Sequence, residues 1–333
     1  MTVHPVCCVA GKSGGHILPC LQFAKQHIPS ANTPLIFIST TAALDKKIIA
    51  QFPEITDHLE LSLANIPYRS WWKLPRFIFS FMAAIWKSFW YLKKHRPSHV
   101  ISTGGFVSVP VCIAARLLSI PVYLFELNAV PGKATAALAH IATKVFICFK
   151  EAQKHFKRSC MLAPYPLRFS EADRSQSCSE ARITIGLEPD KKTLLILGGS
   201  QGSHFLNNVI QQLPHEMLRT YQIIHQTGSD QVAQCTEFYV NSRITAQVFA
   251  YRDNLAPYYQ AADSIICRAG AGTLFEALFF NKKTIVIPLE TQTTDHQKDN
   301  AYAMQAMYPD LFSTLLQKEI AKNPRLLAEK LTP

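Results

Sequence analysis

Short apolar runs recur along this chain, each followed by a polar or glycine-rich turn and then a longer helix-like stretch. In the first half the runs are Val6–Ala10, Leu35–Ile38, His99–Ser102, Val122–Glu126 and Lys144–Cys148. In the second half they are Thr193–Leu197, Gln222–His225, Gln247–Ala250, Ser264–Cys267 and Thr284–Ile287. Strand, turn and helix in steady alternation predict an α/β fold with mostly parallel sheets. The halves also look alike: Val6–Ala10 runs into Gly-Lys-Ser-Gly-Gly-His, and Thr193–Leu197 runs into Gly-Gly-Ser-Gln-Gly-Ser. Between them, the polar, serine-rich segment 170–181 reads as a surface loop, with a hinge just before it at 163–168. The expected domains are therefore 1–164 and 165–333, two doubly wound Rossmann-like units. Such a pair sets the carboxyl ends of both sheets around an interdomain cleft, where the active site is expected.

Composition agrees with that plan and narrows the cellular setting. A chain of 333 residues, 48% hydrophobic and 17% charged, can build one large or two medium cores. Val6–Ala10 breaks straight into Gly11, too short an apolar run for a signal peptide, so a cytosolic protein is expected. The nine cysteines are scattered, mostly inside apolar runs, and without zinc spacing, which predicts reduced core residues.

The net charge of +11 matters through its placement. Between Glu60 and Glu126 there is no acidic residue, whereas Arg69, Lys73, Arg76, Lys87, Lys93, Lys94, Arg96 and Arg116 all fall there among many aromatics. Within the aromatic stretch 71–91 the longest uncharged run, Phe77–Trp86, has ten residues. A membrane span needs about twenty. Two readings are left: a core helix with a basic outer face, or an interfacial patch. Tryptophan mixed with lysine and arginine favours the second, with Trp71, Trp72, Phe77, Phe81 and Trp86 meeting an anionic membrane surface. Nucleic acid is disfavoured as a partner, because the chain lacks RNP-like and helix-turn-helix signatures and the basic window is too apolar to track phosphates.

The glycine loops carry the candidate chemistry. Gly11–Gly15 and Gly198–Gly202 each follow a strand and open a helix, where free N–H groups favour an anion. Neither fits the dinucleotide or P-loop pattern, and either alone could simply be a tight turn. A third loop, Arg268–Thr273, precedes a helix carrying Glu276 and looks like a nucleotide diphosphate site with a carboxylate for ribose hydroxyls. The plainer reading of Glu276 is a solvated acid in the first helical turn. His16 stands at a helix start beside the first loop, the place for a general base, although a lone histidine is more often structural.

Six ordered segments then carry a family likeness: GKSGGH, STGGFVSVP at 102–110, FELNAVPG at 125–132, LGGSQGSHFLNN at 197–208, RAGAGTLFE at 268–276 and TDHQKDNA at 294–301. From residue 6 to 301 the chain resembles the MurG family, the peptidoglycan UDP-N-acetylglucosamine transferases of glycosyltransferase family 28 and GT-B fold. The likeness implies inverting transfer of N-acetylglucosamine from UDP-GlcNAc to the 4-hydroxyl of the muramyl sugar of lipid I, at the cytoplasmic face of the bacterial inner membrane. It implies His16 as base and Arg168 at the diphosphate. Ser200, Gln201 and the amides of Ala271, Gly272 and Thr273 would cradle the phosphates. Glu276 would hold the ribose, His296 and Gln297 the sugar hydroxyls, and Arg252 would fall where a backbone group meets the uracil. On the acceptor side it implies Ser13, Gly14, Gly15, Gly104, Gly105, Glu126, Asn128 and Asn207.

No cofactor or metal is expected. The departing diphosphate needs stabilisation, and with no Asp-x-Asp in the chain, Arg168 and loop amides take the place of a cation. Arg168 could otherwise be a surface ion-pair partner.

The chain departs from the family at Lys12 and Ser13 (usually Gly and Thr), Phe106 (Tyr), and Phe125 and Leu127 (His and Gln), which predicts a less polar acceptor half. One helix candidate, near Leu315–Leu331, stands where the family has further helical sequence. The alternatives are a related GT-B transferase with another lipid acceptor and a catalytically impaired nucleotide-sugar-binding scaffold.

Overall fold

The structure, a computed structural model, describes residues 4–11, 14–28, 33–64, 71–199, 201–290 and 296–331. It divides into two compact units, Met1–Arg168 and Phe169–Pro333, the break falling four residues after the expected 164/165 boundary.

The first unit runs β1 (Val6–Val9), α1 (Gly14–His27), β2 (Leu35–Thr40), α2 (Ala43–Ile49), β3 (Ile55–Leu61), α3 (Leu74–His95), β4 (His99–Ser102), α4 (Ser108–Leu117), β5 (Val122–Glu126), α5 (Lys133–Leu138), β6 (Lys144–Ile147) and β7 (Met161–Leu162). The strands lie parallel in the order β3-β2-β1-β4-β5-β6-β7. Every residue of β1, β2 and β4 is buried, because helices cover both faces of a parallel sheet and a central strand must be apolar on both sides.

The second unit runs α6 (Cys178–Thr184), β8 (Thr193–Leu197), α7 (His204–Gln211), α8 (His215–Arg219), β9 (Gln222–Gln226), α9 (Val232–Asn241), β10 (Ala246–Phe249), α10 (Ala256–Ala261), β11 (Ser264–Cys267), α11 (Ala271–Phe279), β12 (Lys283–Val286), α12 (His296–Met307), β13 (Phe312–Thr314), α13 (Gln317–Lys322) and α14 (Arg325–Leu331). Its parallel order is β10-β9-β8-β11-β12-β13. Each unit has its own apolar core, one including Cys7, Val100 and Val111, the other Leu194, Ile223 and Ile266.

All ten strand candidates are strands, within two residues at each end. Three strands went unpredicted: β3, β7 and β13, all at sheet edges, where partial exposure removes the apolar run. The segment 170–181 is mostly exposed, as expected, but it is not a plain loop. Ser170 with Asp173 and Ser177 with Glu180 form capping boxes that start a 3-10 turn and α6. The single helix expected over Leu315–Leu331 is two, α13 and α14, parted at Asn323-Pro324, where proline cannot continue the backbone ladder. The nine cysteines are free thiols; seven are buried, while Cys160 and Cys178 are half-buried.

Candidate active site

In the first unit the strand order reverses between β1 and β4, the point at which doubly wound sheets open a crevice for ligands. His16, in the first turn of α1, bridges it. Its Nδ1 lies 3.0 Å from the carbonyl oxygen of Thr103, just past β4, and the Thr103 hydroxyl donates back to the His16 carbonyl at 2.9 Å. A carbonyl can only accept, so Nδ1 carries the proton and Nε2 keeps its lone pair. Burial pushes the imidazole pKa below its usual 6.5, partly offset by the Thr103 bond, which keeps the ring neutral at physiological pH. A neutral ring with its tautomer fixed has the lone pair that a general base needs.

The turn beyond Thr103 is built from Gly104 and Gly105, at φ 90° and 82°. A Cβ on Gly104 would collide with the Thr135 hydroxyl, while one on Gly105 would meet only open space. Gly14 and Gly15 begin α1 on the other side. Lys12 and Ser13 lie outside the described residues.

Glu126 turns inward, with Asn128 half-buried beside it. Glu126 is 2% exposed; its Oε1 accepts the Asn128 N–H at 2.9 Å and Nδ2 at 3.0 Å, and its Oε2 accepts the Gly132 N–H at 3.3 Å. Burial pushes its pKa up to about 7 despite these bonds and one from Thr135. The carboxylate folds the 127–132 loop, so it shapes this edge of the site from behind. Phe125 and Leu127 are core residues, Phe125 stacking on Phe23 at 4.6 Å. Replacing polar residues at these two positions therefore does not depolarise the site surface, contrary to the sequence expectation.

The second unit repeats the geometry between β8 and β11. Gly202, at φ 78°, lets the loop after β8 press against Thr227 and Gly228, where a side chain would strike the Thr227 carbonyl. Gln226 Nε2 donates to the Gly199 carbonyl at 2.9 Å. Gln201 is exposed at this loop; Ser200 lies outside the described residues. α11 begins at Gly270 without a side-chain cap, which leaves the amides of Ala271, Gly272 and Thr273 as its N-terminal donors.

Glu276 sits in the second turn of α11, half-buried, and its Oε2 accepts a bond of 2.9 Å from the buried Tyr259 hydroxyl. It is therefore not a solvated first-turn acid. His296 begins α12, and its Nδ1 is buried without a hydrogen-bond partner among the described residues. The Gln297 side-chain Oε1 accepts from the Leu289 N–H at 2.9 Å. Asn300, on the same helix, donates to the Ala269 carbonyl and ties α12 to the α11 loop. Arg252 is exposed just past β10, with its guanidinium 5.4 Å from the centre of the Phe249 ring. Arg168 is half-buried as the last residue of the first unit.

Asn207 turns into the fold. It is 0% exposed, its Nδ2 donates to Thr227 O at 3.0 Å and Gln231 Oε1 at 2.8 Å, and its Oδ1 accepts from His225 Nε2 at 3.1 Å. His225 Nδ1 in turn accepts from Tyr239 OH at 2.9 Å, completing a buried relay that braces the Thr227 loop. Burial pushes the His225 pKa down to about 3. The sequence reading missed Thr103, His225, Tyr239 and Tyr259, whose partners stand 14 to 87 residues away along the chain and leave no periodic signal. Among the described residues no group of three or more His, Cys, Asp or Glu is placed to hold a metal ion.

Helix α3 presents a third feature. Phe77 and Phe81 face inward, stacking on Phe106 at 5.9 Å each, so neither belongs to its exposed side. The exposed apolar stripe is Ile78, Met82, Trp86 and Trp90, spaced by four, with Phe79 and the preceding Trp71 and Trp72 beside it. Trp71 is 80% and Trp86 64% exposed, and Lys87, Lys93 and Lys94 border the stripe. No described helix is long and apolar enough to cross a membrane.

Two doubly wound sheets, each with a glycine turn at its switch point, define the GT-B class of glycosyltransferase. The glycosyltransferase family 28 N-terminal domain matches residues 6–147 and the C-terminal domain matches 193–332. The chain is 31% identical over 299 residues to a Thermosipho africanus protein, across 89% of this chain and 83% of that one, and 33% identical over 299 residues to one from Protochlamydia amoebophila, across 88% and 78%. Both are named UDP-N-acetylglucosamine--N-acetylmuramyl-(pentapeptide) pyrophosphoryl-undecaprenol N-acetylglucosamine transferase. The crystal structure of Acinetobacter baumannii MurG aligns with a TM-score of 0.75 at 26% identity, covering 99% of this chain and 90% of its own. The chain belongs to glycosyltransferase family 28, in its MurG branch.

Proposed function

We propose that this enzyme transfers N-acetylglucosamine from UDP-GlcNAc to the 4-hydroxyl of the muramyl sugar of lipid I, with inversion and without a metal. The observation that carries the reading is the His16 ring, neutral and tautomer-locked by Thr103 with Nε2 left basic. Nε2 takes the proton of the acceptor hydroxyl as its oxygen attacks the anomeric carbon and UDP departs from the opposite face. The amides of Ala271, Gly272 and Thr273 and the Arg168 guanidinium receive the charge growing on the diphosphate, while Glu276, oriented by Tyr259, accepts from the ribose. The α3 stripe and its lysines rest in anionic headgroups, which supports a peripheral enzyme at the cytoplasmic face of the bacterial inner membrane.

The test incubates purified protein with UDP-GlcNAc and lipid I, with and without EDTA, alongside other lipid-linked acceptors. Lipid II is expected in both conditions. Turnover of another acceptor but not lipid I would contradict the assignment. UDP binding without any transfer would mark a scaffold, and loss of activity in EDTA would overturn the metal-free step.

A further inference from the structure

Arg268, the first residue past β11, is 9% exposed. Its Nε and Nη2 donate to the Ser203 hydroxyl at 3.0 and 2.7 Å. Nη1 donates to Ile287 O at 3.0 Å, Pro288 O at 3.3 Å and Gln317 Oε1 at 2.5 Å. The guanidinium also lies 5.5 Å from the centre of the Phe205 ring. All these acceptors are uncharged, and among the described residues no carboxylate pairs with it. Burial lowers its pKa to about 10, so the cation persists at neutral pH. A buried charge without a counterion is costly.

The four tethered segments all belong to the donor end of the unit. Ser203 accepts from Leu206 N as the N-cap of α7, directly after the Gly198–Gly202 loop. Arg268 itself opens the loop into α11; Ile287 and Pro288 follow β12 on the way to His296 and Gln297; Gln317 begins α13. We infer that Arg268 is a positioning residue for the donor diphosphate, holding these segments in register while its unpaired charge raises the positive potential at the two glycine loops. The inference rests on the donor reading above. An anion bound at these loops supplies the missing counter-charge, so the cost of burial is relieved only when the donor is present.

A structural tie and a charge contribution can be separated, because Gln317→Glu sets a carboxylate against Nη1 at the site of an existing acceptor. Affinities for UDP and uridine are measured by calorimetry, with thermal unfolding in parallel. If the charge serves the diphosphate, Gln317→Glu melts no lower than wild type yet binds UDP about tenfold more weakly, with uridine within about twofold. Arg268→Lys, which keeps the charge but loses the fork, is expected to keep the preference for UDP over uridine and to melt lower; Arg268→Gln is expected to lose that preference. An unchanged UDP-to-uridine ratio in folded Gln317→Glu would overturn the inference while leaving the donor reading intact. Absence of saturable UDP binding by the wild type would overturn both.

Discussion

Both units place a candidate site where the strand order reverses, yet they bridge that gap with opposite groups. In the first, a neutral imidazole reaches from the β1 side to the Thr103 carbonyl past β4. In the second, a guanidinium reaches from the β11 side to Ser203 past β8. The same backbone geometry therefore holds a proton acceptor in one unit and a cation in the other. One suits activating a hydroxyl, the other suits retaining a diphosphate. The difference teaches that the topology supplies the crevice, and the side chain that bridges it selects the task.

The comparison can be broken most forcefully at His16. His16→Ala is expected to lower turnover roughly 10²–10⁴-fold while UDP affinity stays at the wild-type value. Initial rates and calorimetry check it; near-normal turnover would remove the imidazole from the chemistry. Next in size is the acid sensitivity of the second unit. His225 is held neutral with a pKa of about 3, against 6.5 when unfolded. Its stabilising contribution is complete above pH 6.5 and is lost as pH falls toward 3, on the order of 5 kcal/mol. Urea titrations across that range should show stability falling with pH, and His225→Gln should flatten the slope.

Glu276→Ala should then raise the donor KM by about 10- to 100-fold, the worth of hydrogen bonds to a charged group. Tyr259→Phe, which only frees the carboxylate to turn, should raise it a few-fold, corresponding to ~1 kcal/mol. An unchanged KM in Glu276→Ala would return that residue to a structural role. The smallest effect concerns the pH profile. Because burial lowers the His16 pKa, kcat/KM should rise with pH through a midpoint below 6.5 and level off by pH 7. A midpoint above 6.5 would contradict a desolvated base.

Much of this division was legible in the residues. Central parallel strands are buried on both faces, so Val6–Val9 and Thr193–Leu197 are continuous apolar runs and easily read. Edge strands break the pattern: β3 reads Ile-Thr-Asp-His-Leu-Glu-Leu, with only Leu61 buried. The capping boxes at Ser170 and Ser177 were present in the sequence as Ser-x-x-Asp and Ser-x-x-Glu, but serine-rich polarity hid them. The site was legible where glycine spacing and a helix start coincide, as at His16 and Gly270. It was not legible where a motif residue turns inward: Asn207 and Glu126 stand in family-like segments, yet give their polar atoms to the fold. Arg268 stood in a quoted motif as well, but its character depends on the absence of a paired carboxylate among the described residues, which spacing along a chain does not reveal.

The most direct measurement pairs UDP titration with transfer to lipid I for the wild type, His16→Ala and Glu276→Ala. The expected result is a clean separation, in which His16→Ala binds UDP normally and fails to transfer, while Glu276→Ala binds UDP weakly. Weakened UDP binding in His16→Ala, or normal UDP binding in Glu276→Ala, would contradict the assignment of base and donor site to the two separate switch points.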